Sequence, residues 1–368
     1  MNAKSVAKSP AQTRVVVAMS GGVDSSTAAA LLVEQGYEVI GIMMRLWAGT
    51  GPDGSAYNRC CSPEAVADAR SVCVRLGIPF HLLNFEASFK ANVVDFFLDG
   101  YARGVTPNPC LECNRHVKFD ALMQQAVALG ADRLATGHYA RVSTAADGRH
   151  QLLKGADPLK DQSNAMCMQT QRQLARAMFP LGGYTKPQVR AMARERHILV
   201  AEKSESQELC FVVKDYREFV QEHRPESFVP GPIFDGVGTR LGTHVGLPAY
   251  TIGQRKGLQL ATGEPLYVVG MNAEQNSLIV GRDRDVWQTR MGVSGINWIA
   301  ARAPAAALVK IRYRSTEAPA MVEAIDAATA EVTFAEPQRA LTPGQAAVFY
   351  DGEACLGGGI ISRVGERA

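Results

Sequence analysis

The run Ser20-Gly21-Gly22-Val23-Asp24-Ser25-Ser26 decides how this chain reads. In front of it stands the β-branched stretch Val15-Val16-Val17, and behind it Thr27 to Gln35 carries an Ala- and Leu-rich helical pattern. Strand, glycine turn and helix N-terminus in that order make a place for an anion. Backbone N–H groups, hydroxyls and the positive end of a helix dipole converge there. Two adjacent glycines let phosphate approach the backbone with no Cβ in the way. The lysine of G-x-x-x-x-G-K-[ST] is missing, so this is not the common P-loop. A Gly-Gly pair alone would equally suit an ordinary strand-to-helix turn; the complete S-G-G-x-D-S-S in this context is what favours phosphate.

Outward from that run, residues 14 to about 140 alternate between strand and helix patterns. Val15–Met19, Glu38–Met44, Phe80–Phe85 and Arg133–Thr136 read as strands. Ser26–Gln35, Pro63–Leu76, Glu86–Arg103 and Asn114–Leu129 read as helices. Such alternation predicts α/β architecture with a parallel sheet, in which ligands bind beyond the carboxyl ends of the strands. Ser20–Ser25, the segment after Met44 and Thr136-Gly137-His138 are thereby expected at one crevice. Residues 140 to 215 read as more helical, with Gln171–Phe179 and Lys186–Arg196 separated by Pro180-Leu181-Gly182-Gly183. Frequent glycines and an Asp235-Gly236 turn mark a small β-rich module over 229–285. From Asp285 onward alternation dominates, with a turn at Thr342-Pro343-Gly344-Gln345, as in a β-barrel. The expected division is a disordered tail over 1–13, then 14–217, 218–285 and 286–368.

The bulk properties narrow the function classes. The 368 residues allow two or three domains, and 46% hydrophobic with 20% charged residues is ordinary for a soluble globular chain. No run of 18 apolar residues exists and the N-terminus lacks an apolar signal core, so a cytoplasmic protein with no membrane partner is expected. A net charge of +3 is too small to argue nucleic-acid binding without local clustering. One candidate cluster is the expected strand Leu308–Arg314. There Val309, Ile311 and Tyr313 would face one way, and Lys310, Arg312 and Arg314 the other. A solvated outer face and a phosphate-backbone contact both fit that stripe.

Eight cysteines without a secretory signal read as reduced thiols rather than a disulfide scaffold. Cys73 lies in a helical pattern and Cys355 in a strand pattern, and both, with Cys167, read as packing residues. Cys110-Leu111-Glu112-Cys113 is a C-x-x-C, compatible with half a zinc site (Cys60-Cys61 supplying the rest) or with a redox pair. The rigid turn Thr106-Pro107-Asn108-Pro109 is expected to present Cys113 at a helix start, where the thiolate is favoured.

The opening run resembles the pyrophosphatase loop of N-type ATP pyrophosphatases. With it, in order, stand Cys60-Cys61, Thr106-Pro107-Asn108-Pro109 followed by Cys113-Asn114, and Ala135-Thr136-Gly137-His138-Tyr139. Then come Lys160-Asp161-Gln162-Ser163, Ser206-Gln207-Glu208-Leu209-Cys210-Phe211, Thr251-Ile252-Gly253-Gln254-Arg255-Lys256-Gly257 and Leu356-Gly357-Gly358-Gly359. Together, from about Arg14 to Ile361, they resemble the tRNA-specific 2-thiouridylase (MnmA-type) family. The resemblance implies a Rossmann-like parallel sheet of ATP pyrophosphatase type, a small β-rich central domain and a C-terminal β-barrel. It implies a sulfurtransferase that adenylates the C2 oxygen of the wobble uridine of tRNA with ATP, accompanied by Mg2+, and then installs sulfur. Carried over by position, Cys113 is the nucleophile and Cys210 the persulfide intermediate. Ala18, Met19, Ser20, Gly21, Gly22, Val23, Asp24, Ser25, Met44 and Gly137 bind ATP. Asn108, Pro109 and Cys110 touch the target base, and Lys160, Asp161, Gln162, Arg312 and Tyr313 touch tRNA. A persulfide donor protein is an implied partner. Many relatives carry Asp at the position of Cys110, so the acid/base role of that Asp is not assigned here. The extra thiol leaves room for an iron–sulfur cluster on Cys110, Cys113 and Cys210. The alternatives are another ATP pyrophosphatase-type synthetase, which needs neither cysteine, and a tRNA-binding protein without catalysis.

Overall fold

The computed structural model describes residues 8–50, 56–58, 61–204, 209–212, 215–261 and 263–365. Most of the expected tail, Cys60 and Ser206-Gln207-Glu208 lie outside the described residues. The chain forms two compact units: Met1–Asn92 with Glu112–Val213, and Val93–Leu111 with Lys214–Ala368.

The first unit is built on β1 (Arg14–Met19), β2 (Glu38–Arg45), β3 (Phe80–Asn84), β4 (Arg133–Ala135) and β5 (Ala177–Met178). They stand in the order β3-β2-β1-β4-β5, and every pairing is parallel. Val15, Val16 and Val17 are fully buried because a central parallel strand is covered on both faces, which explains the unbroken β-branched run. Helix α1 (Val23–Glu34) follows β1, and α2 (Pro63–Leu76) follows β2. Ser62 caps α2 by accepting from Ala65 N at 3.2 Å, and Gly77 ends it in the left-handed region. The chain runs from β1 outward to β2 and β3, then returns to place β4 on the other side of β1. The strand order therefore reverses between β1 and β4, which puts the loops after these two strands at the crevice where such sheets bind ligands.

Two expectations change in this unit. Gln171–Phe179 is not one helix: a short turn, Gln171–Leu174, is capped by Thr170, and β5 follows as a fifth strand. The reason is the exposed backbone of β4, whose Leu134 N–H donates to Arg176 O at 2.9 Å while the next residue but one, Thr136, donates to Met178 O at 3.1 Å. The region after residue 140 also opens with an antiparallel hairpin, Ala140–Thr144 with His150–Lys154, before the helix Lys186–Glu195.

The second unit holds a four-stranded sheet in the order Arg240–His244, Gly231–Phe234, Ser277–Gly281, Tyr267–Asn272. Its first hairpin turns where Asp235 accepts from Val237 N and Thr239 N at 3.0 and 2.7 Å. Beyond it six antiparallel strands close into a barrel: Trp287–Trp298, Ala330–Arg339, Ala318–Ala324, Ala306–Lys310, Ala346–Asp351 and Ala354–Val364, the first also pairing the last. Val293, Val309, Val332, Phe349 and Ile361 fill the barrel. The expected strand Leu308–Arg314 ends at Lys310. Ile311 still points inward, but Arg312 N then donates to Ser315 Oγ at 3.1 Å and Ser315 N to Arg312 O at 3.2 Å. That turn reverses the chain, so Tyr313 does not continue the Val309 face and is 46% exposed.

The segment Val93–Leu111 belongs to this second unit, and the barrel braces it. Thr106 N donates to Pro343 O at 3.2 Å, and Gln345 Nε2 to Thr106 O at 2.9 Å. Gly344 has φ +91°, and a Cβ there would stand 2.3 Å from Val105 Cγ1, so the turn and the braced segment fit only with glycine. Among the described residues no helix is long and apolar enough to cross a membrane.

Candidate active site

Gly22 caps α1 with no side chain, so the first N–H groups of the helix receive no side-chain cap from that position. Gly21, at φ +68°, lies so close to α2 that a Cβ would stand 2.3 Å from Ala65 O. The hydroxyls shape the loop from within. Ser20 N donates to Ser25 Oγ at 3.1 Å, the two serine hydroxyls stand 3.2 Å apart, and Ser26 Oγ donates to Gly22 O at 2.9 Å. Ala18 and Met19 end β1 beneath the loop, Val23 is buried at the start of α1, and Met44, 8% exposed, lies near the end of the neighbouring strand.

The loop after β4 closes on the same point. A Cβ on Gly137 would stand 2.8 Å from Ser25 N, so its backbone lies directly against the opening turn of α1. The crevice expected from strand order thus brings Ser20–Ser25 and Gly137 together. Asp24 is fixed there by residues far off in sequence. Lys186 Nζ donates to both carboxylate oxygens at 2.7 Å, and Tyr139 OH donates to Oδ1 at 2.8 Å. Lys186 lies 8% exposed with its ammonium 5.8 Å from the Tyr139 ring centre. A lysine at the first position of a helix opposes the helix dipole. That oddity in the sequence is the signal for a buried carboxylate partner.

His138 follows Gly137. Its Nδ1 stands 2.6 Å from Thr136 Oγ1 and its Nε2 3.5 Å from Lys118 Nζ. Burial, reinforced by the Lys118 charge, holds the imidazole well below its ordinary pKa and keeps it neutral. The sequence places His138 at the crevice but gives no sign of Lys118, which only the packing of its helix brings to the imidazole.

Asn108 opens the helical turn Pro109–Glu112 by accepting from Leu111 N at 3.2 Å. Cys110 is therefore in the first turn and exposed, whereas Cys113 is a turn further on and half-buried, not at the helix start. From Cys113 to Leu122 the helix widens to π turns. Next to Cys113, Asn114 donates from Nδ2 to Ala165 O at 3.1 Å, tying the cysteine's helix to the segment after Gln162. Cys210 is half-buried beside Phe211, which packs edge-on against Phe89 at 5.8 Å. Cys73, Cys167 and Cys355 are buried, and burial pushes the Cys73 thiol up to about 11. Cys61 Sγ instead meets the backbone of Leu46, accepting from its N–H at 3.4 Å. Among the described residues no three His, Cys, Asp or Glu side chains gather as a metal site.

The expected tRNA-facing residues fall into two kinds. Asp161 is buried and accepts from Gly155 N, Ser163 N and Ser163 Oγ, all at 3.0 Å, while Gln162 Oε1 accepts from Tyr139 N at 3.0 Å. These two shape their own loop, and Lys160 at its edge is half-buried. Arg312 and Tyr313 are exposed on the barrel turn, where the Arg312 guanidinium donates to Arg339 O.

Residues 13–214 match the family described as tRNA methyl transferase HUP domain, 217–282 the tRNA methyl transferase PRC-barrel domain, and 288–361 the aminomethyltransferase beta-barrel domain. The chain is 49% identical to the tRNA-specific 2-thiouridylase MnmA of Heliobacterium modesticaldum, over 95% of this chain and 92% of that one. It is 49% identical to the protein of the same name from Geobacter metallireducens, over 95% and 97%. The one from Roseiflexus castenholzii is 46% identical over 95% and 99%. With about half of all positions identical over nearly the whole length of such relatives, the chain belongs to the tRNA-specific 2-thiouridylase MnmA family.

Proposed function

We propose that the chain is a tRNA sulfurtransferase that replaces the C2 oxygen of the wobble uridine with sulfur at the expense of ATP. The observation that carries the reading is the glycine turn and open helix N-terminus at the strand-order reversal, found in a chain with this family membership. ATP, as its magnesium complex, lies with its phosphates on the Ser20–Ser25 loop and the N-terminus of α1, with Met44 and Gly137 bordering the nucleoside. Uridine O2 attacks the α-phosphorus, the bond to the β-phosphate breaks, and pyrophosphate leaves. The carbonyl oxygen, a poor leaving group, has become part of AMP, a good one.

Sulfur arrives as a persulfide on Cys210, loaded by a donor protein. The Cys113 thiolate attacks the Cys210 sulfur, a Cys113–Cys210 disulfide forms, and hydrosulfide departs. Hydrosulfide adds to C2, AMP leaves, and a thiol reductant restores both cysteines. The base reaches this chemistry only out of its stack, and the braced turn at Asn108, Pro109 and Cys110 is where we place its contact. Lys160, Arg312 and Tyr313 meet the tRNA, with Asp161 and Gln162 holding the Lys160 loop in shape.

The test is mass analysis of wobble nucleosides from tRNA incubated with the protein, ATP and a persulfide donor. The wild type is expected to produce 2-thiouridine. Cys113→Ser and Cys210→Ser are expected to lower it by ~10³-fold or more while tRNA-dependent pyrophosphate release continues. Intact thiolation in either variant would refute the mechanism, and absence of tRNA-dependent pyrophosphate release in the wild type would refute the activation step.

A further inference from the structure

Two lysines come to the loops around α1, and what faces each of them differs. Lys186 is matched by the Asp24 carboxylate at 2.7 Å on both oxygens, so its charge is neutralised in place. Lys118 lies on the π turns that begin at Cys113, and its recorded partner is the imidazole of His138. Among the described residues no carboxylate stands within ion-pair distance of it.

The protons of that contact can be placed. An ammonium has no lone pair, so His138 Nε2 accepts from Lys118, and the ring proton belongs on Nδ1. Nδ1–H then donates to Thr136 Oγ1, 2.6 Å away. Thr136 is 2% exposed and cannot swing out without breaking this arrangement. The imidazole thus positions the ammonium without cancelling its charge. Between Thr136 and His138 stands Gly137, whose backbone lies against Ser25 N. Lys118 thereby meets the side chain that follows Gly137 in the loop packed on the opening turn of α1. The loop Ser20–Ser25 has no lysine of its own.

We propose that Lys118 is a phosphate-binding residue of this crevice, taking the α-phosphate of the adenylate and supplying the cation that the glycine loop lacks. The proposal rests on the reading of that loop as the ATP site. The α-phosphate stays anionic before and after its bond to the β-phosphate breaks, so AMP reports the contact as ATP does, and adenosine does not.

The experiment is equilibrium titration of the wild type, Lys118→Gln and Lys118→Arg with AMP and with adenosine. Lys118→Gln is expected to bind AMP about 10–100-fold more weakly, the usual range for one charged hydrogen bond, with adenosine affinity unchanged. Lys118→Arg is expected to recover part of the loss, because it keeps the charge. Unchanged adenosine binding is also the check that the variant folds. Equal AMP affinity in wild type and Lys118→Gln would overturn the proposal, as would equal losses for AMP and adenosine. A wild type that prefers AMP over adenosine while Lys118→Gln keeps that preference rejects Lys118 alone; a wild type with no preference rejects the phosphate loop as well.

Discussion

The loop Ser20–Ser25 is built into a part-buried hydrogen-bond network, whereas the turn Arg312–Arg314 stands exposed where a barrel strand ends. In the first, the carboxylate of Asp24 is held from two elements, and hydroxyls of Ser20, Ser25 and Ser26 are bonded to each other or to backbone. In the second, Ser315 closes the turn, Arg312 leans on the Arg339 carbonyl and Arg314 is exposed. The difference is the one that the two proposed ligands, a nucleotide and a tRNA, would call for. A small anion is recognised by fixed dipoles in a dry place, which work only if they do not have to reorganise. A polyanion is met by separate surface charges whose contributions add and are screened by salt. Substitutions in the first region should therefore change stability and chemistry together, and those in the second should change affinity alone.

Asp24→Ala is the strongest way to break that contrast. It leaves the Lys186 ammonium, 8% exposed, without its carboxylate, and removing one partner of a buried pair costs about 3–5 kcal/mol. Because Asp24 itself is 31% exposed, the lower end is expected. The urea midpoint should fall with an unchanged slope, and pyrophosphate release should vanish. Asp24→Asn combined with Lys186→Met should recover most of the stability and none of the release. A double variant as unstable as Asp24→Ala would mean that the pair is not what stabilises the fold here.

Helix α2, packed on the sheet beneath the loop, gives a pH test. Cys73 is fully buried, and its thiol is pushed up to about 11 by desolvation, against an ordinary value near 9. The folded pKa is raised, so the folded state binds more protons than the unfolded one between those values. Stability is then full below pH 9 and declines as pH rises toward 11, by about 2–3 kcal/mol in total. Cys73→Ala should be less stable at pH 7 but lack that alkaline decline. Gly137→Ala follows in size. Its Cβ would press on the Asp24–Ser25 peptide, and a shift of ~1 Å in the loop is enough to lower pyrophosphate release about 100-fold, with a smaller loss of stability.

What the sequence reveals of these regions follows the distance over which each is specified. The strand, glycine turn and helix around Ser20 are legible because a dozen adjacent residues make them. The crevice is legible once strands and helices alternate, since topology places Gly137 near Ser25. The partners of Asp24 are not legible, because Tyr139 and Lys186 lie 115 and 162 residues away and only the sheet joins them. β5 escapes notice since two residues are too few to show a period, and the backbone of β4 decides their state. The barrel strand fails differently. Val309 and Ile311 both point inward, so alternation continues one residue past Lys310, where the ladder has already stopped. Alternation reports which way side chains point, and an extended approach to a turn points them the same way a strand does.

The exposed turn is expected to respond most weakly, and that weakness is what marks its kind of site. Arg312→Ala and Arg314→Ala should each lower tRNA affinity about 3–10-fold and reduce the slope of log affinity against log salt by about 0.7–0.9, one phosphate contact apiece. Pyrophosphate release at saturating tRNA should stay at the wild-type rate, because neither side chain belongs to the phosphate loop. The double variant should show the sum of the two, as independent surface charges do. A loss far beyond that sum, or one that salt leaves untouched, would mean that the bond from the Arg312 guanidinium to the carbonyl of Arg339 shapes the barrel rim, and that the turn acts through structure rather than charge.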